Sequence, residues 1–350
     1  MKCVQIEQLK GGEVLEKDIL TEDFNIILAA GTIIKSEYIP KLMDLNIKQV
    51  YIKPNGPSGE AVLLLKQETE EIFKDKVKNI LEKHIYQHNE ELEELCKTVD
   101  SIISSILDEE KVIEQVYDIK ERNADIYEHS ISICTISTLV GLKMGLSVER
   151  IHDMGVGCLL HDIGLRYLMV PFDNLPTEDL PEIEKAEFKK HPVYGYTALK
   201  DEDWISSTGK NIILCHHEHI DGSGYPLHAS SISIESRIVG ACDAFDEMIS
   251  GIGCKQSKVY EAIEFLRVYS NVWYDKEVVN VLLQFTAMYP VGTRVITNKG
   301  DIAVVIGQNK TFTERPVIQL IQDCNGKDIT DNNVIDLVQV TNMVITGVVE

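Results

Sequence analysis

The stretch His216-His217-Glu218-His219-Ile220-Asp221-Gly222-Ser223-Gly224-Tyr225-Pro226 decides how this chain is read. It follows the apolar run Ile212-Ile213-Leu214-Cys215, so the spacing predicts that the two leading histidines end a buried helix. Two adjacent imidazoles taken out of water without partners are costly, and coordination of one metal ion by each removes that cost. Gly222 and Gly224 permit a tight loop whose backbone can approach a ligand, and Tyr225 is placed to stack on a base.

Fifty residues upstream, Gly155-Val156-Gly157-Cys158-Leu159-Leu160 reads as helix and runs into His161-Asp162-Ile163-Gly164. Adjacent helical residues point about 100° apart. The imidazole of such a pair can face one ion while the carboxylate reaches a second. Alone, a His-Asp pair reads as a surface or capping pair. Its setting is different here. Of ten histidines, His129, His152, His161, His191, His216, His217, His219 and His228 fall in one 100-residue window, where an even spread would put about three.

Together these two motifs resemble the HD-GYP domain, a bacterial subgroup of HD-type metal-dependent phosphohydrolases whose characterised members hydrolyse cyclic di-GMP. The resemblance spans roughly residues 120–289. It implies an all-helical domain with His161 and Asp162 at the catalytic centre. The remaining ligands follow from the family's pattern. Tyr127-Glu128-His129-Ser130 supplies the early histidine, His191-Pro192-Val193-Tyr194-Gly195 the His-Pro-x-x-Gly element, and Asp243-Ala244-Phe245-Asp246 the late aspartate. The implied ligand set is His129, His161, Asp162, His191, His216, His217 and Asp243. With Asp162 bridging, it suits two borderline-hard ions, iron or manganese. Some members hold a third ion through a Glu four residues before the early histidine, and Asp125 stands there, one methylene shorter. His152, His219 and His228 read as surface or loop residues, and His84 and His88 lie in a helical segment with no ligand-type neighbours.

The chain also departs from the pattern. Family members usually read His-Asp-Ile-Gly-Lys, and here the lysine position is Leu165. Arg166 follows but is turned about 100° away. After Asp243-Ala244-Phe245-Asp246-Glu247-Met248 the family's arginine is Ile252 and its tyrosine Cys254, with Lys255 retained. The implied nucleotide contacts are Lys255, Tyr225, Gly222 and Gly224, while two positions that are cationic in the family are apolar in this chain. Two functions follow. One is hydrolysis of cyclic di-GMP to pGpG or GMP by water acidified between two cations. The other is a catalytically degenerate domain acting as a nucleotide receptor or interaction module, with a protein partner at the Gly-Tyr-Pro loop.

Outward from this centre, the expected architecture is mainly α. A small β-rich module (1–58) precedes a helical stalk or linker (59–122), the HD-GYP domain (123–289) and a β extension (290–350). The first module carries the β-rich runs 25–28 and 49–52 and a short helix at 36–45, and residues 54–59 form a Pro/Gly breaker cluster. In the stalk, Leu92, Leu95, Val99, Ile102 and Ile106 alternate three and four apart. That seam serves either docking on the chain's own domain or a homodimer. At the far end, 294–297, 302–306, 317–321 and 340–349 read as strands.

Composition narrows the partners. The formal net charge is −22, which argues against duplex nucleic acid and against anionic lipid as partners. No apolar run approaches the roughly 20 residues of a membrane span, and the first residues lack a signal-peptide core. The expectation is a cytoplasmic protein. Eight scattered cysteines without a CxxC pair read as buried small hydrophobes rather than disulfides or a zinc ribbon.

Overall fold

Polar side chains cap the starts of several helices, and several helix ends carry the chemistry. In the computed structural model, the residues described are 61–87, 90–107, 112–170, 175–329 and 333–349. Separate stretches precede them at 2–6, 9, 15, 19–20, 26–29, 32, 34–35, 38–45, 47 and 49–52. Asp125 caps α4 (Ile126–Lys143), accepting from the backbone N–H groups of Tyr127 and Glu128. Ser147 caps α5 (Val148–Leu160), Ser206 caps α8 (Ser207–Cys215) and Ser233 caps α9 (Ile234–Ser250). Gly251, at φ 78°, ends α9 in the left-handed region that glycine adopts without strain. Between α5 and α8 lie α6 (Glu182–Phe188) and α7 (His191–Leu199), and α10 (Val259–Tyr269) and α11 (Lys276–Phe285) follow α9.

Every residue of α4 from His129 to Gly141 is buried. A helix apolar or small on all sides belongs at the centre of its domain, and α5, α9 and α11 pack around this one. So do α2 (Gln67–Gln87) and α3 (Glu94–Leu107). The expected stalk is therefore part of the helical body. Leu92, Leu95, Val99, Ile102 and Ile106 are buried in the same core as Ile131, Met154 and Phe245. Of the two uses foreseen for that seam, the chain uses it for its own docking. One close approach sets the frame of the site. A Cβ on Gly164 would fall 1.9 Å from the carbonyl oxygen of His191, so only glycine lets the turn after Asp162 lie against the start of α7.

The last residues form a five-stranded antiparallel sheet. Its strands are β5 (Arg294–Thr297), β6 (Ile302–Gly307), β7 (Val317–Gln322), β8 (Val334–Asp336) and β9 (Ile345–Val348), in the order β8-β7-β6-β5-β9. The expected strand at 340–349 is confined to its second half, and β8 has no alternating apolar signal that would have announced it. The inner face of the sheet joins the helical core through Val295, Ala303, Val305 and Ile318. A buried carboxylate fastens the joint. Asp118 accepts from Val62 N–H at 2.9 Å, Val291 N–H at 2.7 Å and the Gln308 amide at 2.8 Å.

At the other end, β1 (Lys2–Gln5) pairs antiparallel with β4 (Gln49–Ile52), and β2 (Ile19–Leu20) with β3 (Ile26–Leu28). The short helix α1 covers Ile39–Asp44, inside the expected 36–45, and residues 36 and 37 lie outside the described residues. Ile6, Leu15, Ile34, Leu42 and Val50 make a separate small core. The breaker cluster 54–59 and His88 also lie outside the described residues. Among the described residues no helix is long and apolar enough to cross a membrane.

Because Asp118 satisfies donors from three segments, Asp118→Ala leaves buried N–H groups unpaired. The expected loss is about 3 kcal/mol or more of unfolding free energy, read as a lowered denaturant midpoint, with Asp118→Asn intermediate.

Candidate metal centre

Five segments deliver side chains to one point. His129 projects from the first turns of α4. His161 caps the end of α5, and Asp162 follows it. His191 opens α7, His216 caps the end of α8 with His217 next, and Asp243 lies midway along α9. His129, His161 and His191 are fully buried, and His216, Asp162 and Asp243 nearly so.

Their ring orientations are fixed from behind. The His161 Nδ1–H donates to the Cys158 carbonyl at 2.7 Å and the His191 Nδ1–H to the Phe188 carbonyl at 2.9 Å. The His216 Nδ1–H is shared between the Ile212 and Ile213 carbonyls, both at 3.1 Å. The His129 Nδ1–H donates to Asp246 Oδ2 at 2.6 Å. A carbonyl or carboxylate can only accept, so in all four neutral rings the lone pair sits on Nε2 and faces inward. That is the tautomer and aim of a metal-ligating histidine.

The inward atoms form two groups. His129 Nε2 and His161 Nε2 are 3.2 Å apart, and both approach Asp243 Oδ1, at 3.1 and 3.4 Å. His191 Nε2 and His216 Nε2 are 3.1 Å apart. Asp162 lies between the groups. Its Oδ2 is 3.4 Å from His161 Nε2 and 3.7 Å from His129 Nε2, while its Oδ1 is 3.3 Å from His191 Nε2 and 3.7 Å from His216 Nε2. Lone pairs facing each other at 3.1–3.2 Å repel unless positive charge sits between them. Asp243 Oδ1 is moreover buried without a hydrogen-bond donor. The donor set therefore fits cations, one per group, with Asp162 shared.

The electrostatics agree. Burial would raise the Asp162 carboxyl, but His161 and His191 hold it well below the usual carboxylate range. Burial also opposes charge on His129, yet Asp243 and Asp246 raise it to about 9. His216 is pushed down to about 3 by burial and by the neighbouring histidines His161 and His191. The centre attracts positive charge, as protons when no metal is there.

Expected site residues divide on inspection. Ligand atoms of Asp162, His191, His216 and His217 lie within 4.8 Å of one another, as do those of His129, His161 and Asp243. Asp125 is not with them. Its Oδ1 accepts the Tyr127 and Glu128 N–H groups as the α4 cap, and its Oδ2 pairs with Lys74 at 2.6 Å. A carboxylate committed to a helix terminus and an ammonium is not free to turn inward. Gly224 faces its own chain, since a Cβ there would fall 2.4 Å from the His217 carbonyl oxygen. Gly222 supplies φ 79° to the same turn. Tyr225 stacks on His217, ring centroids 4.7 Å apart, so one of its faces is taken. Lys255 is exposed. Leu165 and Ile252 are 2% and 1% exposed, so both positions where the family pattern is cationic are apolar and buried here. Arg166 lies over the Tyr127 ring, 5.5 Å from its centroid. His219 stacks on Trp273 and His228 is exposed.

Three residues escaped the sequence reading. Asp246 orients His129 and is itself held by Arg122 and by the Ser132 hydroxyl at 2.6 Å. Glu218, buried, accepts from the backbone N–H groups of Leu227 and Ala229 and so pins the Gly-Tyr-Pro loop. Glu247 stands one turn after Asp243 and forms a further group with it and His217. Burial and the nearby Asp243 and Asp162 raise its carboxyl well above the usual range. The i, i+4 spacing from Asp243 was the signal for it.

Residues 112–278 match the HD domain family model, and residues 294–350 match that of a KOW domain associated with HD domain. The cyclic di-GMP phosphodiesterase PA4108 of Pseudomonas aeruginosa is 28% identical over 243 residues, which is 68% of this chain and 58% of that protein. The cyclic di-GMP phosphodiesterase PdeB of Borreliella burgdorferi is 30% identical over 209 residues, 58% of this chain and 54% of that one. The chain thus spans little more than half the length of these curated relatives. Among solved structures, Bd1817, a HDG"Y"P protein from Bdellovibrio bacteriovorus, aligns with a TM-score of 0.52 at 19% identity, covering 80% of this chain and 97% of that one. That likeness is one of fold.

Two outcomes are expected of the centre itself. Asp246→Asn removes the charge that orients His129, and metal affinity should fall roughly 10–100-fold with the helical circular dichroism unchanged. Metal uptake must also displace the proton held on His129. Affinity should therefore rise with pH up to about 9 and level off above it. Titration of metal-free protein across that range measures both.

Proposed function

We propose, from the premise that this chain belongs to the HD-domain family and carries the HD-GYP signature, that it is a metal-dependent phosphodiesterase hydrolysing cyclic di-GMP to pGpG or GMP. The observation that carries this reading is Asp162, whose two oxygens face two separate pairs of histidines. The names of the relatives supply the substrate. The ligand chemistry, imidazole with carboxylate, suits iron or manganese. Two such cations, when bound, acidify a water and offset charge developing on the phosphoryl oxygens.

The chain's own residues provide the positioning. Asp162 fixes the separation of the two groups. Four Nδ1–H hydrogen bonds hold the rings in one rotamer and one tautomer. Glu218 clamps the loop that lays Tyr225 over His217, covering that side of the centre against water. The outer surface of the same loop, where Leu227 is exposed, is the place for a protein partner, and the exposed Lys255 is the cation assigned to meet a nucleotide from outside. Cytoplasmic location is part of the same proposal.

A second reading, a receptor that binds nucleotide without turnover, draws on the burial of Leu165 and Ile252. The two separate in one assay. Protein purified without oxygen should contain at least two transition-metal ions per chain and turn over cyclic di-GMP. Asp162→Asn should reduce turnover to background while leaving the helical fold intact, because it keeps the size and loses the bridging charge. Binding without turnover in metal-loaded wild type favours the receptor, and full turnover in Asp162→Asn removes the metal mechanism.

A further inference from the structure

Glu247 has no task in the two-group centre. It sits on α9 one helical turn beyond Asp243, so both carboxylates point the same way. Its side chain receives no hydrogen bond from any described residue, while its backbone carbonyl accepts from Gly251, Ile252, Ser250 and Cys254. It is part-exposed, unlike Asp243 beneath it. One ligand atom each of Glu247, Asp243 and His217 lie within 4.8 Å of one another, and His217 Nδ1 is 3.7 Å from Asp243 Oδ2.

In its ionised form the Glu247 carboxylate would work against the proposed reaction unless a cation is bound to it. Glu247 is the part-exposed member of the group, and Asp243 and Asp162 are buried beneath it. Like charges at such separations repel strongly once water is thinned out. Leu165 and Ile252 supply no positive charge to offset this, and Lys189 lies over the Tyr225 ring, 5.5 Å from its centroid. The position where relatives place a ligand for a third ion, Asp125, is turned away and paired with Lys74. One nitrogen and two carboxylate oxygens, with the outer side open, are instead the donor set for a divalent first-row cation that keeps sites for exchangeable oxygen ligands. Asp243 Oδ1, buried and without a donor, belongs to the adjoining group, so Asp243 would be shared between ions as Asp162 is.

We propose that His217, Asp243 and Glu247 form a third divalent-cation site beside the centre, with His217 serving this ion while Asp162, His191 and His216 hold the second, and that the ion held there takes the phosphate-binding role absent from Leu165 and Ile252. The phosphate role rests on the phosphodiesterase reading, but the metal site does not. The test titrates metal-free full-length protein with Mn2+ under anaerobic conditions, comparing wild type, Glu247→Gln and Glu247→Ala, by calorimetry and by counting bound ions. Three ions are expected in wild type and two in each variant, the weakest being lost. The two ions that remain show that the variants are folded. Inorganic phosphate is then added to each metal-loaded protein, and binding should weaken at least about ten-fold in the variants. An equal ion count in wild type and both variants overturns the site. Unchanged phosphate affinity with a lost third ion overturns its role. Neither readout depends on turnover of cyclic di-GMP, so failure of that activity would be seen separately.

Discussion

Asp162 is the constraint around which the molecule is organised. A carboxylate with 6% of its surface exposed loses several kcal/mol of hydration unless other groups replace it. Here the replacement comes from imidazoles on four different segments, the start of α4, the end of α5, the start of α7 and the end of α8. None is adjacent to Asp162 in sequence except His161. The four helices must therefore meet at fixed angles before the charge is accommodated, and close contacts such as Gly164 on the His191 carbonyl make that meeting possible. The histidines in turn need the carboxylate. Their inward lone pairs would repel one another without a positive charge drawn in by Asp162 and Asp243.

The influence of the centre extends to helices that precede the HD motif. Asp246 grips His129 from behind, and Arg122 grips Asp246. Arg122 also faces Glu128, and Glu128 and Asp125 share Lys74 of α2. A line of charges thus runs from α2 to the buried imidazole, with alternating sign at each step. Burial of each member is compensated by the next, so the line is stable only when complete. This explains in physical terms why α2 and α3 dock on the helical domain rather than stand away from it. Their apolar seam fills the core, and Lys74 completes the electrostatics.

Much of this was legible in the sequence, and the failures have physical causes. The helical centre, the β termini and the converging histidines and aspartates follow from motifs in which residue type and spacing are both demanding. Asp125 could not be assigned from the sequence because i, i+4 spacing from His129 is shared by two fates, ligand and N-cap. The capping alternative wins when the following residues' N–H groups lack other partners. Asp246 and Glu218 act through hydrogen bonds to a histidine ring and to loop backbone, contacts made across 117 and 9–11 residues, which no local pattern announces. The glycines of the Gly-Tyr-Pro loop were read as making room for a ligand. At Gly224 the room is needed by the chain itself, because the loop folds back on the backbone of His217 and Glu218. The seam at Leu92 to Ile106 left two uses open for a related reason, since an a/d pattern does not say whether its partner helix belongs to the same chain.

The charge balance of the site gives Leu165 and Ile252 a different meaning from simple loss. The chain carries a net charge of −22, and the centre concentrates Asp162, Asp243, Asp246 and Glu247, with the Arg122 guanidinium close behind them. An empty centre is therefore a poor place for a phosphate. A lysine or arginine at position 165 or 252 would change this only in part, and it would compete with metal ions for the same carboxylates. With apolar residues there, the carboxylates and imidazoles are left to cations alone. Under the proposed function, phosphate affinity would depend on how many cations are bound, and substrate binding would be subordinate to metal loading. On that reading the acidic residues of the centre are no obstacle to an anionic substrate. They would hold the positive charge that such a substrate meets.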